Sequence, residues 1–154
     1  MKITSLLSLC AVFLATAAGP AAAQEVRAGT AKVVGGTVTL QNAKGERPLQ
    51  SGDALNAADR IVTGADGSAS VVLRDGSVMV IGPKSRMELK SFAFDSTTHD
   101  GNMGVSLLRG TMRMVTGLIG KKRPEAVQVE TPTSTVGILG TDFIVEVAEA
   151  EAAK

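Results

Sequence analysis

The chain has 154 residues, 44% of them hydrophobic, 20% charged and only 3% aromatic, with a formal net charge of +1. That charge balance gives no electrostatic case for nucleic acid or anionic lipid as partner, and one histidine with one cysteine cannot build a zinc cluster or a disulfide framework. Without Trp or Tyr there is no broad aromatic platform for stacking sugars, and the core must be filled by Val, Ile, Leu, Met and Ala.

The first segment reads as an export signal. Met1-Lys2 precedes an apolar run over 3–18, and Gly19-Pro20-Ala21-Ala22-Ala23-Gln24 supplies a helix breaker and small residues before a cleavage point after Ala23. The apolar run is short for a membrane anchor, and bulky Leu9 before Cys10 argues against lipidation there. Cleavage would remove Lys2 and Cys10, leaving 15 basic and 15 acidic residues and no cysteine. The expected layout is a signal peptide over 1–23, one β domain over 30–147 and a frayed tail over 148–154. The expected location is periplasmic or secreted, with no stable membrane insertion after cleavage.

From Thr30 onward short β-type runs alternate with Gly, Asp, Asn and Pro, and no stretch sustains a helical period. Strands are predicted over 31–34, 37–41, 60–62, 68–73, 78–81, 87–94, 105–108, 112–115, 126–129, 136–139 and 143–147. Period-two alternation places Ala69, Val71 and Leu73 on one face, as it does Met87 and Leu89, Met112 and Met114, Val127 and Val129, and Phe143, Val145 and Val147. Gly35-Gly36, Asp66-Gly67, Asp75-Gly76 and Asp100-Gly101 supply turn chemistry, read here as hairpins. The fold class is therefore all-β: a single small domain of short strands, solenoid-like or a rolled β-sheet. Two stretches depart from the pattern. Residues 118–124, Leu-Ile-Gly-Lys-Lys-Arg-Pro, read as a loop or protruding arm, and residues 148–154 have helical composition but are too short to hold a helix unaided.

The order of several motifs is informative. Gly52-Asp53-Ala54-Leu55 is followed by Asp59-Arg60-Ile61-Val62-Thr63-Gly64, by 68–77 with Asp75-Gly76, by Leu107-Leu108-Arg109-Gly110, and by Thr131-Pro132 leading to Gly140-Thr141-Asp142-Phe143. In that order the chain resembles the FecR domain family. Ala58 stands where a glycine commonly precedes the aspartate, and Leu139 where the closing motif often carries arginine. The resemblance implies a β-rich periplasmic domain that, in iron-uptake regulators, receives a signal from an outer-membrane receptor. Those regulators carry an anti-sigma segment and a membrane helix ahead of the domain, whereas only Met1-Lys2 precedes the apolar run here. Control of a sigma factor by this chain alone is not expected.

No residue set demands chemistry. His99, beside Asp100, lacks a second His or any Cys to complete a metal site, and without a Gly-x-Ser-x-Gly context it gives a serine triad little support. Gly35-Gly36 precedes no Lys-Ser/Thr pair, so no phosphate loop is read. Asp53, Asp59, Asp66, Asp75 and Asp142 are candidates for a hydrolase dyad; the alternative is that Asp66 and Asp75 build turns and that Asp53 and Asp142 bond nearby backbone amides. Gly140-Thr141 reads as a close backbone approach with a turn held by the Thr141 hydroxyl, and Phe143 as core. Gly52, Asp53, Asp75, Gly76, Thr131, Pro132, Gly140, Thr141 and Phe143 are thus taken as structural. Leu118, Ile119, Lys121, Lys122 and Arg123 are the candidate partner contacts, together with unpaired strand edges. The resulting expectation is a non-enzymatic envelope module that binds a protein or surface polymer, with no cofactor. The alternatives are a glycan- or peptidoglycan-associated enzyme and a purely structural envelope component.

Overall fold

A computed structural model describes residues 27–138 and 140–148; the expected signal peptide and residues 149–154 of the tail lie outside them. Twelve strands are formed among the described residues: β1 (Arg27–Gly35), β2 (Val38–Asn42), β3 (Gly45–Pro48), β4 (Ala54–Asn56), β5 (Arg60–Thr63), β6 (Ser68–Leu73), β7 (Val78–Ile81), β8 (Arg86–Phe94), β9 (Gly101–Val115), β10 (Val127–Glu130), β11 (Thr135–Gly137) and β12 (Asp142–Val147). A short helix α1 (Leu118–Lys122) and a 3-10 turn (Pro124–Ala126) link β9 to β10.

Strand β9 is the spine of a rolled sheet with two wings. Its first part pairs with β8 and, in parallel, with β10, while residues 110–115 pair with β7 on one side and β12 on the other. One wing therefore runs β4-β1-β6-β7-β9-β12 and the other β3-β2-β5-β8-β9-β10-β11. The two predicted runs 105–108 and 112–115 are one strand. The bend between them falls at Gly110, whose φ of +86° lies in the left-handed region open to glycine, and Leu108 is skipped in the register, Met87 opposing Leu107 and Arg86 opposing Arg109.

Alternation built the core as the sequence implies. Val71, Met79, Ile81, Met87, Leu89, Val105, Leu107, Met112, Met114, Val127 and Val129 are completely covered. Five methionines, at 79, 87, 103, 112 and 114, are buried together; their flexible thioethers fill the space that ring side chains occupy in other β folds.

Three readings of the local sequence are corrected. Strands β3 and β4 were not predicted, because β3 is a charged Gly-Glu-Arg-Pro segment and β4 has only three residues. Gly35-Gly36 and Asp66-Gly67 do not close hairpins: they carry the chain from β1 to β2 and from β5 to β6, across the two wings. In the β8–β9 connection the left-handed residue is His99, at φ +59°, and not Gly101. Asp75-Gly76 does form the β6–β7 turn, with Gly76 at φ +82°.

Candidate interaction surface

The segment expected to protrude is folded in. Ile119 is 1% exposed and belongs to the core, and Leu118 N–H donates to the Asp75 carbonyl at 2.8 Å. The cations are also engaged: Lys122 Nζ lies 2.9 Å from Asp100 Oδ1 and donates to the Thr98 carbonyl, and Arg123 donates to the Gly101 carbonyl. The Lys122 ammonium holds the Asp100 carboxyl below the usual aspartate range. Leu118, 38% exposed, and the exposed side chains of Lys121, Lys122 and Arg123 still face solvent, the last two held by their bonds to the β8–β9 connection. Ile119 is thus corrected from partner contact to core, since nothing in the local sequence distinguishes an apolar residue at a loop base from one tucked under a turn.

The five aspartates are each taken up locally. Asp75 is buried and accepts from the Ser77 amide and hydroxyl, and the same hydroxyl accepts from Gly117 N–H. Asp59, also buried, accepts from Asn56 N–H and Asn42 Nδ2. Asp66 accepts weakly from Thr37 N–H at 3.4 Å. Asp53, beside Gly52 at φ +94°, is bound by the Arg47 guanidinium and the Gln50 amide, which hold its carboxyl below the usual range. Asp142 departs from expectation: instead of a backbone amide it takes a two-pronged bond from Arg113, at 3.0 and 2.6 Å, which lowers its carboxyl in the same way. His99 is exposed, its ring stacked 6.4 Å from that of Phe94, and no group of three or more metal-ligating side chains occurs among the described residues.

The feature that sequence reasoning missed is a groove of about 690 Å³ between the β10–β11 hairpin and β12. Thr131 and Ser134 close that hairpin through paired bonds around exposed Pro132. Val136 stands directly opposite Val129 on the same face of the pair, yet Val129 is fully covered and Val136 is 39% exposed. On the facing wall Phe143, Val145 and Val147 point inward and are only half buried, and Ile138 lies beneath. The groove is where, among the described residues, no further layer lies over the inner face of the rolled sheet. Gly140 lines it, with nothing within 4 Å of where a Cβ would sit, so the expected close approach is absent; it is the Thr141 carbonyl, not its hydroxyl, that accepts from Thr116 N–H at 2.8 Å.

Half-burial revises the role of Phe143. A fully buried ring would cost about 3–5 kcal/mol on truncation; here Phe143→Ala is expected to cost about 1–2 kcal/mol, read as the shift in urea midpoint.

Beside the groove, the outer edge of β12 has no strand partner among the described residues. The Thr116–Thr141 bond and the register Asp142↔Val115 through Val147↔Gly110 direct the backbone groups of Phe143, Val145 and Val147 to β9. The N–H and C=O groups of Asp142, Ile144 and Glu146 therefore point away from the sheet. Edge β3 is blunted by Glu46, Arg47 and Pro48 and β4 by its three-residue length, the usual protections against strand pairing. Strand β12 has six residues, no proline, and Ile144 at 70% exposure.

A family model described as FecR protein matches residues 59–153, more than half of the chain. The chain belongs to the FecR family. The FecR match begins at Asp59, at the entry to β5; Ala58, just before it, adopts φ +67°, a conformation glycine takes without strain, which gives a physical reason for the glycine common there. A solved structure described as a cell surface anchoring domain is similar at 35% identity, covering 40% of this chain and 83% of that one with a TM-score of 0.39. No curated protein matches the chain significantly. No helix among the described residues is long and apolar enough to cross a membrane.

Proposed function

We propose that this FecR-family chain is an exported, envelope-associated binding module that captures an extended segment of an envelope protein by strand addition at β12. The observation that carries the reading is the coincidence of an unblunted six-residue edge with an uncovered apolar groove: the edge offers main-chain hydrogen bonds and the groove takes alternate side chains, the two components of β-augmentation. Family membership supports the envelope setting, since FecR-type domains act as periplasmic sensing units. Export rests on the signal-like residues 1–23.

The test uses proline as an edge block. The Ile144 N–H faces outward, so Ile144→Pro removes no bond to β9, whereas the same change at Val145 removes a ladder bond to Met112. Ile144→Pro is expected to keep the wild-type melting temperature to within a few degrees and to lose capture of the envelope partner from extracts; Val145→Pro should melt lower. Wild-type capture by folded Ile144→Pro would refute the reading.

A further inference from the structure

We infer that the segment captured at β12 runs antiparallel to it, with apolar residues opposite Phe143 and Val145 and a basic residue opposite Glu146. This rests on the strand-addition reading above and adds direction, register and side-chain chemistry to it.

Direction follows from ladder geometry, since antiparallel bonds run straight across and hold slightly better per residue than the slanted bonds of a parallel pair, and the two walls of the groove accept the same choice. Strand β12 is antiparallel to β9, β10 is parallel to β9 and β11 is antiparallel to β10, so β11 and β12 point the same way. A segment lying in the groove antiparallel to β12 is antiparallel to both walls. Register follows from the free groups: an antiparallel strand exchanges its bonds with Asp142, Ile144 and Glu146, and its residues at those positions lie on the outer face. Its residues opposite Phe143 and Val145 point into the groove, over the half-buried inner face.

Charge sets the remaining position. On the outer face Asp142 is already neutralised by Arg113, while exposed Glu146 opposes Thr111 and has no ion-pair partner among the described residues. A cation directly opposite Glu146 gains a cross-strand pair, and an anion there is repelled. The same point argues against a second copy of the chain as occupant. Self-pairing of β12 that keeps its faces places Asp142, Ile144 or a second Glu146 opposite Glu146, never a cation.

The absence of Trp and Tyr gives a clean readout. The probe is a capped six-residue peptide, Val-Lys-Trp-Thr-Val-Thr, whose lysine falls opposite Glu146 and whose tryptophan falls opposite Val145 in the inferred register. Its emission should shift to the blue and saturate on titration with the protein. Replacing the peptide lysine by glutamate should weaken binding about ten-fold, and Glu146→Lys should reverse that preference. N-methylation of the threonine opposite Ile144 should abolish binding, while N-methylation of the tryptophan amide, which points away from β12, should leave it within a few-fold. Equal binding of the lysine and glutamate peptides overturns the charge assignment, and equal binding of the reversed sequence overturns the direction. Loss on tryptophan rather than threonine methylation overturns the register. Dimerisation abolished by Ile144→Pro would put a second copy in the site instead. If no peptide binds while Ile144→Pro still abolishes partner capture, this inference fails and the strand-addition reading stands.

Discussion

Replacing Gly110 by alanine is expected to destabilise the protein by about 3–5 kcal/mol, from a left-handed backbone and an overpacked corner acting together. At φ +86° a side chain is strained whatever the space, and there is no space: a Cβ would sit 2.2 Å from Ser85 Oγ, 2.5 Å from its Cα and 2.7 Å from its Cβ. Ser85 cannot move aside. Its hydroxyl accepts from Thr111 N–H, and its amide donates to Thr63 Oγ1, tying β5, β8 and β9 together at the point where the spine bends. Gly45→Ala is the reference, because Gly45 also has positive φ, at +125°, but nothing lies within 4 Å of its Cβ position; about 1–2 kcal/mol is expected there. Urea denaturation of both variants separates conformational strain from steric conflict. Equal losses would show that the corner is not sterically locked.

Ile119→Ala is expected to cost about 2–5 kcal/mol, the range for removing most of a buried aliphatic side chain and leaving a cavity. Ile119 is 1% exposed, and its Cδ1 and Cγ1 lie against the backbone at Gly101, so it pins α1 to the start of β9. Deleting 118–123 with a short Gly-Ser bridge removes this contact together with the Leu118–Asp75 backbone bond and is expected to abolish cooperative unfolding, measured by the loss of a sigmoidal melt. Lys121→Ala, at an exposed position of the same segment, should leave the melt unchanged. A folded deletion variant with wild-type stability would restore the segment to the status of a detachable arm.

Much of this architecture was legible in the residues. The 68–73 and 78–81 runs match β6 and β7 residue for residue, because a buried strand next to a polar turn writes its period plainly. The edge strands were harder: β3 buries none of its residues and so carries no hydrophobic signature. The sequence divides β9 into the runs 105–108 and 112–115 because Gly110 interrupts the apolar pattern, while in the fold Gly110 bends a strand whose pairing continues on both sides.

The candidate site was legible only in kind. The missing Trp and Tyr, the single His and the balanced charge point to backbone edges as the candidate surface, but not to which edge. The arm at 118–123 looked available because burial of Ile119 and neutralisation of Lys122 by Asp100 depend on a segment some twenty residues away in the chain. Phe143, Val145 and Val147 have the alternation of any buried strand, and their half-exposure arises because β10 and β12 pair with different stretches of the bent β9, leaving the groove between the β10–β11 hairpin and β12.

By itself, the sequence determined the all-β class, the inward faces of the central strands, the methionine-rich core and the family motifs, since period-two alternation and turn chemistry are local properties. Tertiary structure alone decided which strands lie at edges, which of those edges is blunted, where the inner face is left uncovered, and which charges are already spent on neighbours. Those depend on strand pairings between residues far apart in the chain, and a strand's own composition does not state who lies beside it.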